Sequence, residues 1–139
     1  MVKAVEVQQW RLTTGAELRE LRASLHRTLT GNQLLDGEKL DDVPEQMALV
    51  ATELATNALR HGLPPTIVTL FSADECLLLD VADHDLGTVP ELADTRPAES
   101  GGRGLLLARR LSLDVGWYAT ATTKHIWATF PRRAGRPSP

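Results

Sequence analysis

Glu53-Leu54-Ala55-Thr56-Asn57-Ala58-Leu59-Arg60-His61-Gly62 contains polar residues that helix amphipathicity alone does not explain. From Glu45 to Arg60 the apolar residues Met47, Val50, Leu54, Ala58 and Leu59 recur at three- and four-residue spacing. That period predicts an amphipathic helix with Pro44 at its start and Gly62 just past its end. Glu53 and Asn57 then share a face, one turn apart. A carboxylate beside a carboxamide places a base or water-orienting group next to a neutral oxygen ligand for a hard cation such as Mg²⁺. The plainer alternative has Glu53 solvated, Asn57 tolerated and His61 near the helix C-terminus, where its charge suits the dipole.

Two later stretches bear on that choice. Leu77-Leu78-Leu79-Asp80-Val81-Ala82-Asp83-His84-Asp85-Leu86-Gly87 reads as a strand running into an Asp- and Gly-containing loop. Gly101-Gly102-Arg103-Gly104-Leu105-Leu106-Leu107 reads as a Gly-rich turn opening a helix. In this order and spacing the three stretches resemble the N, G1 and G2 boxes of the GHKL ATPase superfamily. The chain length and the ending Thr123-Lys124-His125-Ile126-Trp127-Ala128 look most like the anti-sigma factor serine kinases and their actinobacterial relatives. The resemblance covers roughly residues 10 to 130.

The resemblance implies an α+β two-layer sandwich of Bergerat type, in which one mixed, mainly antiparallel sheet is covered on one face by about three helices. It implies ATP and Mg²⁺ as ligands. Asp83 would accept a hydrogen bond from the adenine amine, and Gly87 would let the backbone pass close to the nucleotide. Gly102, Arg103, Gly104 and Leu105 would meet the phosphates at a helix N-terminus, a natural anion site. Asn57 would hold Mg²⁺ and Glu53 would activate the nucleophile. Implied partners are a small anti-sigma antagonist and a sigma factor, with a homodimer as an open alternative. Without the resemblance, Asp83 reads equally as a strand-terminating turn residue, and the glycines as a flexible loop before a helix.

One departure stands out. Where the superfamily loop commonly reads Asp-x-Gly-x-Gly, this chain has Asp83-His84-Asp85-Leu86-Gly87. Asp85 adds a Cβ and a negative charge near a polyanion, which predicts weakened nucleotide binding. The competing expectation is that Asp85 caps its own turn. A zinc site from His61, His84 and His125 is a second metal reading, but the spacings match no zinc signature.

Around these motifs, 139 residues predict one domain over 1–131, able to bury roughly two-thirds of its unfolded surface without metal or disulfide. Residues 132–139, Arg-Arg-Ala-Gly-Arg-Pro-Ser-Pro, read as a disordered tail whose basic residues are solvated. A hydrophobic fraction of 42% and a charged fraction of 24% are globular values. The formal net charge of −3 supplies no footprint for direct nucleic-acid binding. No stretch suits a membrane span or a signal peptide, and the single cysteine, Cys76, sits in an apolar run as a buried small hydrophobe. A reducing cytoplasm fits.

Residues 4–12 predict a first strand whose alternation from Val5 and Val7 to Trp10 and Leu12 is only approximate. Leu18, Leu21, Leu25 and Leu29 predict a helix over 16–30, with Arg19, Arg22, His26 and Arg27 on its other face as solvated residues or, by the resemblance, a docking surface. Asp36 to Asp42, with four acidic residues, predicts a surface loop. Strands follow at 66–71 and 76–82, the second too apolar to face water, then a long loop at 88–100 that the superfamily uses as a lid. Gly101 to Leu113 predicts a helix. A last hairpin has strands at 114–120 and 125–130, turning around Ala121-Thr122-Thr123-Lys124.

Overall fold

Helical periodicity and strand alternation meet in one core. The computed structural model describes residues 4–31, 42–87, 108 and 110–132. The elements are strand β1 (Val5–Leu12), a 3₁₀ turn (Gly15–Glu17), helices α1 (Leu18–Gly31) and α2 (Val43–His61), and strands β2 (Thr66–Ser72), β3 (Cys76–Asp83), β4 (Asp114–Ala119) and β5 (Lys124–Pro131). Glu17 opens α1 by accepting the backbone N–H groups of Thr13 at 2.7 Å and Thr14 at 3.0 Å. Those groups have no intrahelical partner. Gly62 ends α2 with its N–H on the carbonyl of Ala58 at 2.8 Å.

The five strands form one sheet in the order β1-β2-β3-β5-β4, and every pairing among the described residues is antiparallel. The sheet thus shows only the antiparallel part of the mixed arrangement expected. β3 lies at its centre, as the apolar run from Cys76 required. Side chains alternate across the pleat. Val68 and Leu70 of β2, Leu77, Leu79 and Val81 of β3, and Ala128 and Phe130 of β5 point to the helical side. There they meet Leu21, Leu25 and Leu29 of α1 and Met47, Val50, Leu54 and Ala58 of α2. α2 packs on β2, β3 and β5, and α1 packs on α2. Each fully buried Leu, Val or Met contributes about 1.5–3 kcal/mol relative to exposure, so this single layer of helices is enough to hold one face of the sheet.

β1 shows why its alternation looked imperfect. Its register against β2 shifts between Glu6 and Gln8, so Val7 is an extra residue and the inward phase changes at that point. Beyond the bulge Gln8, Trp10 and Leu12 face the helices. Gln8 Nε2 and Trp10 Nε1 both donate to Ser24 of α1, at 3.2 and 2.9 Å. Of the helix expected over 101–113, the described part is its end: Ala108, Arg110 and Leu111 are helical, and the Ser112 N–H closes on the Ala108 carbonyl at 3.0 Å. The helix stops two residues earlier than the sequence suggested. Residues 32–41, the 88–100 loop and 133–139 lie outside the described residues. Among the described residues, no helix is long and apolar enough to cross a membrane.

The opposite sheet face carries a polar network. His125 donates Nδ1–H to Asp80 Oδ1 at 2.7 Å, and the Tyr118 hydroxyl donates to Asp80 Oδ2 at 3.2 Å. Tyr118 and His125 stack with ring centroids 4.4 Å apart. His125 Nε2 reaches Thr123 Oγ1 at 2.7 Å, which ties the β4–β5 turn to the centre of the sheet. Beside Asp80 lies a cavity of about 360 Å³ bounded by Phe71, Leu78, Tyr118 and Trp127. Cys76 is half-buried rather than buried, because it sits on this same face. Burial, with the Glu75 carboxylate beside it, pushes its thiol above the usual range.

Burial, the nearby Asp80 charge and the hydrogen bond to Asp80 push the Tyr118 phenol above the ordinary tyrosine range. A raised folded value means that the network's contribution to stability is present below the ordinary tyrosine range and is lost as pH rises through the folded value. Tyr118 is the chain's single tyrosine, so ultraviolet absorbance reports it alone. Its ionisation should come later than that of the unfolded chain. Asp80→Asn should bring the midpoint down, and an unchanged midpoint would show that Asp80 does not hold the phenol.

Candidate functional site

Along α2 the buried stripe leaves Glu53 and Asn57 half-buried on its flank, one turn apart as the period required. Among the described residues neither side chain makes a hydrogen bond, so the carboxylate and the carboxamide keep their oxygens for a ligand. Thr52 and Thr56 are turned back on the helix, donating to the carbonyls of Ala48 at 2.7 Å and Thr52 at 2.6 Å.

Asp83 ends β3 on the helical side and is 4% exposed. It lies directly beneath the exit of α2. A Cβ added to Gly62 would come within 2.6 Å of Asp83 Cγ and Oδ2 and 2.7 Å of the Ala58 carbonyl oxygen. Side chains essentially never approach so closely, so close approach of the helix end to the carboxylate requires glycine here. Backbone strain is not the reason, since Gly62 has an extended φ of −97°. His84 N–H donating to the Leu63 carbonyl at 3.2 Å fixes the same junction.

The two oxygens of Asp83 have different surroundings. Oδ1 accepts the N–H of Asp85 at 2.7 Å. Oδ2 lies 3.8 Å from Lys124 Nζ, both side chains being nearly buried. Thr66, one residue beyond the Ile67–Ala82 pair, is 0% exposed and among the described residues has a hydroxyl with no hydrogen-bond partner. Thr66, Asp83 and Lys124 form a row of buried polar side chains across β2, β3 and β5, at the end of the sheet under Gly62. An orphaned buried hydroxyl costs about 1–3 kcal/mol, and a row with an acceptor, a cation and a spare hydroxyl fits a polar heterocycle such as a nucleobase.

Asp85 has a structural task. Its Oδ1 accepts the Gly87 N–H at 3.0 Å, an Asx turn that caps the loop after β3. The turn-capping alternative therefore describes Asp85 Oδ1. Among the described residues, a Cβ on Gly87 would meet only Asp85 Oδ1 at 3.4 Å, an ordinary contact. Gly102, Arg103, Gly104 and Leu105 lie outside the described residues. His61 and His84 are exposed and His125 serves the opposite sheet face, and the described residues hold no cluster of three or more metal-ligating His, Cys, Asp or Glu side chains. The zinc reading has no support in this arrangement.

Two members of the buried row escaped the sequence reading. The expected turn around Ala121-Thr122-Thr123-Lys124 ends one residue earlier, and β5 begins with Lys124, paired to Asp83. The signal was present: Lys124, Ile126, Ala128 and Phe130 share one phase of the strand, and a lysine at an inward phase needs a polar partner. Thr66, first residue of a β-branched run, gave no comparable signal.

No curated protein sequence matches the chain. The family model of the histidine kinase-like ATPase domain matches residues 13–130, a span from the end of β1 to the end of β5 that takes in α2, Asp83 and Lys124. By that match, together with its antiparallel sheet and single helical layer, the chain belongs to the histidine kinase-like ATPase family.

Proposed function

We propose that this protein is an ATP-binding regulator of anti-sigma type, which transfers the γ-phosphoryl group of ATP to a serine or threonine of a small anti-sigma antagonist, sequesters a sigma factor, or does both. The observation carrying the reading is the buried Asp83 carboxylate beneath Gly62, on the same side of the sheet as Glu53 and Asn57. An acceptor there pairs with the amine of adenine and is left facing a carbonyl oxygen by guanine.

The orphaned Thr66 hydroxyl and the uncommitted oxygens of Glu53 and Asn57 fit ATP with Mg²⁺. Bound Mg²⁺ would neutralise charge on the phosphates. Asn57 would supply its side-chain oxygen to that ion. Glu53 takes the proton of the attacking hydroxyl as the oxygen–phosphorus bond forms and the bond to the bridging oxygen of ADP breaks. For partner contact the exposed face of α1 is suited to an acidic segment: Arg19, Arg22 and His26, with Glu45 and Ala48 of α2, line a cavity of about 390 Å³.

Glu53 has no orienting hydrogen bond among the described residues, which favours a second reading, a non-catalytic module whose partner-binding shape ATP stabilises. A detached histidine-kinase catalytic domain is a third.

Calorimetry should show ATP binding with Mg²⁺, GTP binding weaker by at least about tenfold, and Asp83→Asn losing affinity for ATP. Equal affinity for ATP and GTP, or an unaffected Asp83→Asn, would remove the nucleotide reading. Incubation with labelled ATP and candidate antagonists then separates kinase from module.

A further inference from the structure

We infer that Lys124 is a second base-reading residue, its ammonium donating to the ring nitrogen that flanks the exocyclic amine of adenine while Asp83 accepts from that amine. The inference rests on the nucleotide reading and deepens it by assigning the other half of base recognition.

Lys124 is 7% exposed and its Nζ stands 3.8 Å from Asp83 Oδ2. That separation marks an ion pair but is too long for a hydrogen bond. An ammonium carries three N–H donors. Among the described residues none of them has a hydrogen-bond acceptor, although burying a cation is costly unless it is both paired and hydrogen-bonded. A lysine serving only to neutralise Asp83 would close to contact distance. The observed spacing instead holds a donor and an acceptor side by side, with Asp83 Oδ2 lying under Gly62.

Adenine presents the complementary pair. Its amine is a donor, and each ring nitrogen beside it, N1 or N7, is an acceptor. Oδ2 is the oxygen of Asp83 left for the amine, because Oδ1 is occupied by the Asp85 N–H at 2.7 Å. Lys124 reaches this place because β5 starts at it, so its backbone is pinned to Asp83 on one side and to Ala119 of β4 on the other. A lysine on a free turn would swing into solvent.

The test pairs ligand atoms with the residue. Calorimetry is run with ATP, 1-deaza-ATP and 7-deaza-ATP, each analogue replacing one flanking nitrogen by C–H, on wild type, Lys124→Met and Lys124→Arg. Wild type should bind one of the two analogues about tenfold or more weakly than ATP, the effect of a lost charge-assisted bond. In Lys124→Met that difference should vanish, whereas Lys124→Arg, which keeps a cationic donor, should retain part of it. A structural role would lower affinity for all three ligands equally and leave their ratios unchanged, and that result overturns the inference. Wild type binding ATP and both analogues equally overturns it as well, without any variant needing to fold. No binding of ATP at all removes the nucleotide reading and this inference with it, whereas ATP binding without the coupling removes the inference alone.

Discussion

Glu53→Ala should keep ATP affinity within a few-fold of wild type and lower phosphoryl transfer to the antagonist by about 10²- to 10⁴-fold, the usual contribution of a positioned base. Asn57→Ala should behave differently. It removes an oxygen suited to Mg²⁺ and should lose the Mg²⁺-dependent part of ATP binding together with transfer. The contrast is informative because the two residues are neighbours on one helical flank with similar burial, so a shared packing defect would affect both alike. Single-turnover transfer and calorimetry on the same preparations provide the comparison. Transfer by Glu53→Ala at the wild-type rate would eliminate Glu53 as the base. Absence of transfer by wild type to every candidate antagonist would leave the binding module as the better account.

The second large effect concerns stability. Asp83→Ala leaves the Lys124 ammonium buried without its counter-charge, and breaking a buried pair in this way costs about 3–5 kcal/mol. The double variant Asp83→Ala/Lys124→Met should recover much of that loss, since it removes the stranded charge while keeping apolar volume. Both variants lose the acceptor for the Asp85 N–H, so the difference between them isolates the ammonium. Urea denaturation of the single and double variants checks this. A double variant as unstable as the single one would show that the cost comes from the lost turn rather than from Lys124.

What the sequence made legible follows from how many residues specify each feature. α2 is readable because five apolar positions repeat the helical period, and β3 because its run from Cys76 is too continuously apolar to face water. Glu53 and Asn57 followed from the helix, since a shared flank is a matter of spacing alone. Asp83 needed the strand end as well, and its proximity to Gly62 depends on how α2 crosses the sheet, which no local pattern encodes. Lys124 is obscured by turn composition: Ala121-Thr122-Thr123 draws the expected turn one residue too far, so a residue in the inward phase of β5 falls outside the expected strand. The capping role of Asp85 depends on its Oδ1 accepting the Gly87 N–H, a loop geometry that the sequence does not specify.

The register shift in β1 has a consequence beyond misleading the alternation. β1 is one border of the sheet, and its outward amide and carbonyl groups are not used by β2. A regular border of that kind is a template on which a strand from another molecule can add, and repeated addition is how soluble chains begin to aggregate. The inserted Val7 breaks the repeat near the start of β1 and twists the strand locally, so an incoming strand cannot keep step along the border's whole length. The bulge that costs β1 one rung of pairing with β2 thereby works against such strand addition.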